Sequence, residues 1–340
     1  MIDLNSKIRI LNELGIYISN ILNNNPKSIL NNLTKSIINK NRWFDEKSII
    51  YSLRAWSNLL KADLIEKWID KYEFSSIKKK RTIALIIPGN IPLVGFHDIL
   101  CLWIMDFRGI IKLSSKDDVL IPFLTNYLDE KSGFKLFNYT RSIVKKFDAV
   151  IATGSNNSSI YFEHYFSKYP NIIRKNRTSI AVLDGNETEM DLKNLGKDIL
   201  LYYGLGCRNI SKLYLPKEFD LNKIFKGLEP FSFIINNSKY VNNYNYNKSI
   251  FLINKDDFSD NGFFILKENS KLHSPISCAF YEFYDDIKDL DNKIHEIKDN
   301  IQCLVSKKRD IKGIPFGSTQ NPSLEDYADN IDTIKFLMNI

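Results

Sequence analysis

The chain has 340 residues, of which 44% are hydrophobic and 26% charged, so it is long enough for two lobes and too apolar for a disordered protein. Its net charge is +7, but the basic residues are spread along the chain without a zinc-finger or RNA-binding signature, which argues against a nucleic-acid partner. Four cysteines without a C-x-x-C pair argue against a zinc site and predict reduced thiols in the cytoplasm.

The region 1–78 is predicted to be helical. Between Arg54 and Tyr72, apolar side chains recur at three- and four-residue steps, which is the spacing of one helix face. The first residues do not lead into a signal-peptide pattern. Because the region carries no chemical motif, we interpret it as a structural cap or an oligomer surface.

From Arg81 onward, short apolar runs alternate with turns and helical stretches. This alternation predicts mainly parallel sheets that are covered by helices on both faces. The Asn/Tyr-rich stretch 236–247 is predicted to be a surface loop. The predicted strands are 83–87, 109–113, 149–152, 180–183, 212–215, 250–253, 276–280 and 302–305.

One apolar stretch, 84–105, has the length of a membrane span. Its middle contains polar residues and prolines, including Asn90, His97 and Asp98. Because such residues are expensive in hydrocarbon, we predict a strand, a turn and a helix there, and no transmembrane segment.

A glycine-rich segment, 204–209 (Gly-Leu-Gly-Cys-Arg-Asn), contains one of the thiols. The glycines leave room for a substrate beside Cys207, and Arg208 brings positive charge, so the segment favours a nucleophilic thiolate. An ordinary buried cysteine fits the sequence equally well. Ligands of parallel sheets bind at the carboxyl ends of strands, and we expect this loop to lie there. The other cysteines lie in apolar runs and are interpreted as buried: Cys101, Cys278 and Cys303.

Two more turns follow predicted strands. Prolines on both sides of Asn90 fix its backbone, so its amide is a suitable donor to a developing oxyanion, although turn formation also explains it. Gly154 and Ser155 precede a helix start, where N–H groups favour phosphate. Lys112, at the end of its strand, either reaches a ribose or phosphate or is a solvated lysine.

The order of these segments resembles the aldehyde dehydrogenase superfamily. Pro-Gly-Asn-x-Pro is followed by strand-Lys, Thr-Gly-Ser, Leu-Asp-Gly and Gly-x-x-Cys. Segments 152–158, 172–187 and 204–213 look more closely like the acyl-CoA reductase family that includes the bacterial bioluminescence fatty-acid reductase. The likeness runs from about residue 83 to the end of the sequence.

The resemblance implies an α/β, aldehyde-dehydrogenase-like fold with two Rossmann-like parallel-sheet lobes and a helical N-terminal region. We expect a helical region at 1–78, a cofactor-binding lobe at 79–185 and a catalytic lobe at 186–315. The segment 316–340 is expected to return to the cofactor lobe or to form an oligomer interface, since the resemblance also implies a homo-oligomer.

The resemblance implies roles for single residues as well. Cys207 falls at the position of the nucleophile, and Asn90 matches the amide that shares the oxyanion hole with the cysteine's own N–H. Cofactor contacts are expected from Pro88, Lys112, Gly154 and Ser155.

One position departs from the superfamily pattern. Asp184 stands where many aldehyde dehydrogenases carry a glutamate base. Aldehyde oxidation needs a base that activates water to hydrolyse the thioacyl enzyme, whereas thioester reduction needs no water. We therefore interpret position 184 as favouring reduction.

These features together predict an enzyme that reduces an acyl-CoA to a fatty aldehyde with NADPH, or with NADH as the alternative cofactor. Three arginines are candidates for the phosphates of CoA or NADPH, or alternatively lie on the surface: Arg174, Arg177 and Arg208. Two other hypotheses remain. The acyl donor is an acyl-protein thioester or an acyl phosphate, or the chain is a catalytically silent binder of acyl-CoA or a nucleotide.

Overall fold

The structure is a computed structural model that describes residues 2–23, 27–74, 80–142, 144–308 and 310–340. The chain forms two units. The first comprises Met1–Asn176 and Ser323–Ile340, and the second comprises Arg177–Pro322. The division therefore falls earlier than the expected boundary at 185, because the strand that starts at Thr178 belongs to the second sheet.

The described helices and strands follow one another along the chain as predicted for an α/β protein. The helices are α1 (Leu4–Asn23), α2 (Lys27–Lys40), α3 (Glu46–Leu59), α4 (Ala62–Ile69), α5 (Phe96–Ile104), α6 (Leu120–Ser132), α7 (Asn156–Phe166), α8 (Glu189–Leu200), α9 (Leu221–Leu228), α10 (Ser238–Ile253), α11 (Ile287–Glu296) and α12 (Thr333–Met338). The strands are β1 (Thr82–Ile86), β2 (Arg108–Lys112), β3 (Phe137–Thr140), β4 (Ala149–Thr153), β5 (Asn171–Arg174), β6 (Thr178–Val182), β7 (Ile210–Pro216), β8 (Ser259–Asp260), β9 (Ile265–Glu268), β10 (Cys278–Tyr284) and β11 (Ile301–Ser306).

The first unit contains a parallel sheet in the order β3-β2-β1-β4-β5. Ile83 of β1 pairs with Gly109 of β2 on one side and with Ala149 of β4 on the other. The chain thus moves outward on one side of β1 and returns on the other. Where the order reverses, a doubly wound sheet opens a crevice at its carboxyl edge.

The N-terminal helices share one hydrophobic core with this sheet. Leu11 and Leu14 of α1 and Trp68 of α4 are fully buried in the same cluster as Leu85 of β1. Ser52 of α3 also donates a 3.0 Å hydrogen bond to the carbonyl oxygen of Pro92. The helical region is therefore part of the first unit and contacts the turn that follows β1.

The stretch 84–105 contains most of β1, a turn and the nine-residue helix α5. Seven hydrophobic residues of α5 are buried, which explains the apolar composition of the stretch. Within the described residues, every helix lacks either the length or the apolar content that a membrane crossing requires.

The second unit contains a sheet in the order β11-β6-β7-β10-β9-β8. Its strands are parallel except for β8, which pairs with β9 in the antiparallel sense. Helix α8 precedes β7 in sequence and ends in a 3-10 turn, Leu201–Gly204. The loop between that turn and β7 contains Cys207.

Two sequence predictions in the second unit are wrong. The predicted strand 250–253 and most of the predicted loop 236–247 form the single helix α10. The buried residues of this helix recur at helical spacing: Tyr240, Tyr244, Asn247 and Phe251. Asparagine is typical of turns, and its abundance in this stretch led to the prediction of a loop although the buried residues follow the 3.6-residue period of a helix.

Candidate functional site

The first unit has a cavity of about 770 Å³ at the carboxyl edge of its sheet. Residues that end or follow β1, β2, β3 and β4 line this cavity. Asn90 is one of them. The residues expected to contact a cofactor lie on the same lining: Pro88, Lys112, Gly154 and Ser155.

The turn that carries Asn90 is held by neighbouring loops and by the N-terminal region. A Cβ atom on Gly89 would lie 2.8 Å from the Cβ of Ser114, so glycine permits the turn after β1 to pack against the loop after β2. Asn41 donates a 3.1 Å hydrogen bond to the Gly89 carbonyl. Burial raises the pKa of Asp117, next to this contact, to about 6.

The start of α7 forms another wall of the cavity. Ser155 caps this helix by accepting a hydrogen bond from the N–H of Ser158 (3.3 Å). A Cβ atom on Gly154 would approach the Phe162 ring to 2.8 Å and the Ser158 Cβ to 2.9 Å. The missing side chain therefore keeps the helix start open, where N–H groups and the helix dipole favour an anion.

Several basic residues belong to the cavity lining. Lys112, Lys116 and Arg141 all line the cavity, together with the carboxylate residue Asp118. Asp118 forms ion pairs with Lys40 and with Arg141, whose Nη2 lies 3.2 Å from Oδ2. Burial alone would raise the pKa of Asp118, but the hydrogen bond from Lys40 and the other basic contacts hold it below its usual value. The lining therefore carries a net positive charge and suits an anionic ligand.

Arg174 does not lie where a ligand phosphate would reach it. Its Nη2 donates to Oδ1 of Asp98 at 2.9 Å and to Oγ1 of Thr333 at 3.2 Å. Arg174 is only 4% exposed and Asp98 only 5%. The guanidinium is thus neutralised inside the first unit, which corrects the expected phosphate contact. Arg177 begins the second unit and is half-buried, and its role stays a prediction.

Cys207, which belongs to the second unit, is exposed, whereas the cysteines elsewhere in the chain are buried: Cys101, Cys278 and Cys303. Its loop lies at the amino end of β7, because it follows a helix and precedes a strand. The expectation that this loop lies at a carboxyl edge was therefore wrong. Ser179, near the amino end of β6, donates a 3.0 Å hydrogen bond to the Cys207 carbonyl.

The turn before Cys207 has an unusual backbone. Tyr202, Tyr203 and Gly204 all adopt left-handed conformations, with φ of 55°, 60° and 73°. Left-handed geometry costs a residue with a Cβ atom roughly 1–2 kcal/mol. Both tyrosines are buried, and the N–H of Leu205 bonds to the Tyr202 carbonyl at 3.1 Å. Packing and hydrogen bonds therefore offset the backbone strain next to the thiol.

Asn209 ties this turn to the end of α8. Its Nδ2 donates to the carbonyls of Asp198 (3.0 Å), Ile199 (3.2 Å) and Leu201 (2.8 Å), groups that a helix end leaves without helical donors. Its Oδ1 accepts the N–H of Gly206 at 2.8 Å. This role of Asn209 was not predicted from the sequence, although the residue lies only two positions after Cys207 in the glycine-rich segment.

Arg208 points into the second unit. Its Nη1 lies 3.3 Å from the Sγ of Cys303 and 3.5 Å from the Thr319 carbonyl. Burial raises the pKa of the Cys303 thiol. Because these contacts use the guanidinium to join the loop to β11 and to the segment near Thr319, they argue against the expected phosphate contact.

Asp184 lies at the opposite edge of the second sheet from Cys207. Ser179, which contacts Cys207, is near the amino end of β6, and Asp184 follows the carboxyl end of that strand. Five residues at roughly 3.3 Å each separate the two positions by roughly 16 Å. The interpretation of Asp184 as the counterpart of a base beside the cysteine was therefore wrong. Its carboxylate instead accepts the N–H of Asn186 at 2.9 Å.

No family model and no curated protein matches the chain. Solved structures do match it. Aldehyde dehydrogenase 21 from Physcomitrella patens, in complex with the reaction product succinate, has a TM-score of 0.69 and 11% identity over 99% of this chain and 84% of that one. Salicylaldehyde dehydrogenase from Pseudomonas putida G7, complexed with salicylaldehyde, has a TM-score of 0.66 and 10% identity over 91% and 74%.

A third structure, the NAD+ complex of an aldehyde dehydrogenase from Bacillus cereus, has a TM-score of 0.58 and 11% identity over 91% of this chain and 73% of that one. At these identities the likeness concerns the course of the backbone. The TM-scores and the long coverage agree with it. The chain therefore has the fold of the aldehyde dehydrogenases.

Proposed function

We propose that the protein is an NADPH-dependent reductase that converts an acyl-CoA into an aldehyde through a thioester on Cys207. The observation that carries the proposal is the contrast between Cys207 and the other cysteines. Cys207 is exposed on a loop held by hydrogen bonds, whereas burial raises the pKa of Cys278 to about 12 and keeps that thiol protonated. An accessible thiol in a fixed loop is what covalent catalysis requires.

The reaction proceeds in two steps. The Cys207 thiolate attacks the carbonyl carbon of the acyl-CoA, the bond from that carbon to the CoA sulfur breaks, and CoA leaves as its thiolate. Hydride then adds to the carbonyl carbon of the acyl-Cys207 thioester, and the resulting thiohemiacetal collapses to the aldehyde and the Cys207 thiolate. CoA takes up one proton, so that acyl-CoA, NADPH and a proton give aldehyde, CoA and NADP+. Asn90 is proposed to stabilise the oxyanion, as the resemblance implies.

The cavity of the first unit fits a nicotinamide dinucleotide. It combines the open helix start at Gly154 and Ser155, suited to a pyrophosphate, with Lys112 at the end of β2, suited to a ribose or phosphate. When bound, the cofactor supplies the hydride. The matching aldehyde dehydrogenase from Bacillus cereus was solved with NAD+, which supports the same class of cofactor here.

The direction of the reaction rests on the resemblance of the segment 204–209 to acyl-CoA reductases and no longer on position 184. Asp198 is a carboxylate residue whose main-chain carbonyl accepts a hydrogen bond from Asn209, two positions after Cys207. It is fully buried and accepts the N–H groups of Gly317 (2.6 Å) and Thr319 (3.1 Å) and the Thr319 hydroxyl (2.8 Å). These bonds occupy it, so it is not available to activate a water molecule for hydrolysis.

The proposed thioester can be tested directly. We expect that mixing the protein with an acyl-CoA in the absence of cofactor adds the mass of one acyl group and releases one equivalent of CoA. Peptide mapping should place the acyl group on Cys207, and addition of NADPH should remove it as an aldehyde that a hydrazine reagent traps. Acylation by an acyl phosphate or an acyl-protein thioester, but not by acyl-CoA, would contradict the proposed donor. No acyl adduct with any donor would contradict the mechanism.

The charge of the cavity lining supports the proposed preference for NADPH. A 2′-phosphate adds about two negative charges to the ribose, and Lys112, Lys116 and Arg141 line the cavity where β2 and β3 end. Among the described residues of the lining, the carboxylate is Asp118; Lys40 and Arg141 engage it, which weakens its repulsion of a phosphate. Electrostatics therefore favour the phosphorylated cofactor.

We expect Lys116→Glu to raise the KM for NADPH about 10- to 100-fold, which corresponds to the loss of a hydrogen bond to a charged group. The KM for NADH should change less than about threefold, because NADH lacks the 2′-phosphate. Steady-state kinetics with both cofactors would measure the difference. Lys168→Glu, an equal charge change at an exposed position of the same unit outside the cavity lining, serves as the control. Equal shifts for both cofactors would contradict the preference.

A further inference from the structure

The peptide groups around Cys207 are each held by a specific partner. The main-chain N–H of Asn209 donates to the carbonyl of Gly206 at 3.0 Å. The Gly206–Cys207 peptide is trans, so its carbonyl and its N–H point in opposite directions. The bond from Asn209 therefore also fixes the direction of the Cys207 N–H, which points away from Asn209.

The side chain of Asn209 keeps its own backbone in place. Its amide group donates to the carbonyls at the end of α8, including that of Leu201, which begins the left-handed turn. Its Oδ1 holds the N–H of Gly206. Asn209 is buried, with 3% exposure, so these contacts are shielded from competing water. Asn209 thus connects the end of α8 to the Gly206 N–H through its side chain, and holds the Gly206 carbonyl with its main-chain N–H.

We propose that Asn209 is a positioning residue that aims the Cys207 N–H at the oxyanion formed when Cys207 attacks an acyl carbonyl. This inference rests on the proposed function. A hydrogen-bond donor stabilises an oxyanion only when it is already directed at the position of the oxygen. In this chain, the donor belongs to a loop between a left-handed turn and a strand, and Asn209 fixes its direction.

Ser179 has the matching role on the other side of the cysteine. Its hydroxyl donates to the Cys207 carbonyl at 3.0 Å and accepts the N–H of Cys303 at 3.1 Å. The residue lies on β6 and is fully buried. The peptide before Cys207 is thus fixed through Asn209, and the peptide after it through Ser179.

The test compares two reactions of the same thiol. Acylation by an acyl-CoA passes through an oxyanion, whereas alkylation by iodoacetamide does not. Asn209→Asp keeps an acceptor for the Gly206 N–H but places carboxylate oxygens against three carbonyls. We expect the rate of Cys207 acylation to fall about 10- to 100-fold, as expected for a small misplacement of a catalytic group, while alkylation falls less than about threefold. NADPH binding should be unchanged.

Asn222→Asp is the matched control, since it makes the same change at an exposed position of the same unit, and it should leave both rates unchanged. Acylation of Asn209→Asp at the wild-type rate would overturn the inference, and so would equal losses of acylation and alkylation, which indicate a merely structural role. If the wild-type protein is not acylated at all, the proposed function fails together with the inference. That result is distinct, because it is read from the wild type alone.

A second pair of variants provides the same test if Asn209→Asp does not fold. Ser179→Ala should slow acylation about tenfold and alkylation less than about threefold, because the Cys207 carbonyl loses its donor. Ser179→Thr keeps the hydroxyl on a strand that tolerates β-branched residues and should restore acylation. Failure of threonine to restore the rate, or an unchanged rate in Ser179→Ala, would overturn the inference.

Discussion

Replacing Cys207 with alanine is expected to lower the rate of acyl-CoA-dependent NADPH oxidation about 10,000-fold or more, because removal of a nucleophile removes the covalent path entirely. Binding of NADPH should persist, since the cavity that fits the cofactor belongs to the first unit. Absorbance at the reduced nicotinamide band would report turnover, and cofactor titration would report binding.

The control for this experiment is Cys278→Ala. Cys278 is buried on β10, and burial raises the pKa of its thiol to about 12, so it is protonated at neutral pH and is not expected to take part in the reaction. Folded Cys278→Ala should turn over at close to the wild-type rate. Undiminished NADPH oxidation by Cys207→Ala would disprove the covalent mechanism.

Replacing Asp98 with alanine is expected to lower the free energy of unfolding by about 3–5 kcal/mol, because it leaves the charge of Arg174 buried without its carboxylate partner. The pair joins α5 to the end of β5, and Thr333 of α12 contacts both side chains. Urea unfolding followed by circular dichroism would measure the change.

Asp285→Ala provides a matched control. Asp285 pairs with Lys217 on the surface, where the side chains are 67% and 70% exposed. A surface ion pair contributes about 1 kcal/mol or less, so this variant should unfold nearly as the wild type does. Equal losses in Asp98→Ala and Asp285→Ala would show that burial of the Arg174 pair has no special effect.

The effect of Asp98→Ala should depend on pH in a defined direction. Burial alone would raise the pKa of Asp98, but the charge and hydrogen bonds of Arg174 outweigh it and hold the pKa below its usual value of 3.8. The ion pair therefore stabilises the fold above that value and is lost as the pH falls through the lower pKa of the folded protein. The difference between wild type and variant should be constant near neutral pH and shrink only in strong acid.

The sequence was sufficient to predict those features of the fold that depend on the order of neighbouring strands, turns and helices along the chain. The alternation of apolar runs and helical stretches predicted mainly parallel sheets, and the two sheets are parallel except for β8. Turns that directly follow strands were placed correctly at one edge of the first sheet, which is why Pro88, Lys112 and Gly154 line one cavity. Parallel strands bring their carboxyl ends to the same edge whatever the details of packing.

Short edge strands were harder to predict. β3 and β5 are both four residues long and lie at the two edges of the first sheet. Three of the four residues in β3 and two of the four in β5 are not buried, so neither presents a continuous buried run. β3 pairs with β2, and β5 pairs with β4. These backbone hydrogen bonds define the two strands, and the pattern of side chains in the sequence does not reveal them.

The sequence did not show at which edge of the second sheet Asp184 and Cys207 lie, because that depends on the path of the helix between them. Asp184 and Cys207 are close enough in sequence to suggest a shared site. The structure separates them because β6 lies between Asp184 and the amino edge, and α8 carries the chain back to that edge before Cys207. The direction of a strand, and not the spacing in sequence, decided which residues share an edge.

The sequence by itself determined that this protein has a thiol in a glycine-rich loop, preceded by the turns that line a cavity in the first unit. Only the tertiary structure decided what the surrounding polar groups do. Arg174 finds its partner 76 positions earlier at Asp98, and Arg208 contacts Cys303, 95 positions later. Whether a charged side chain binds a ligand or forms a structural ion pair depends on the groups that face it in the folded protein. Those groups are far away in the sequence, so a local sequence pattern does not identify them. Asn209 and Ser179 hold the Cys207 loop for the same reason.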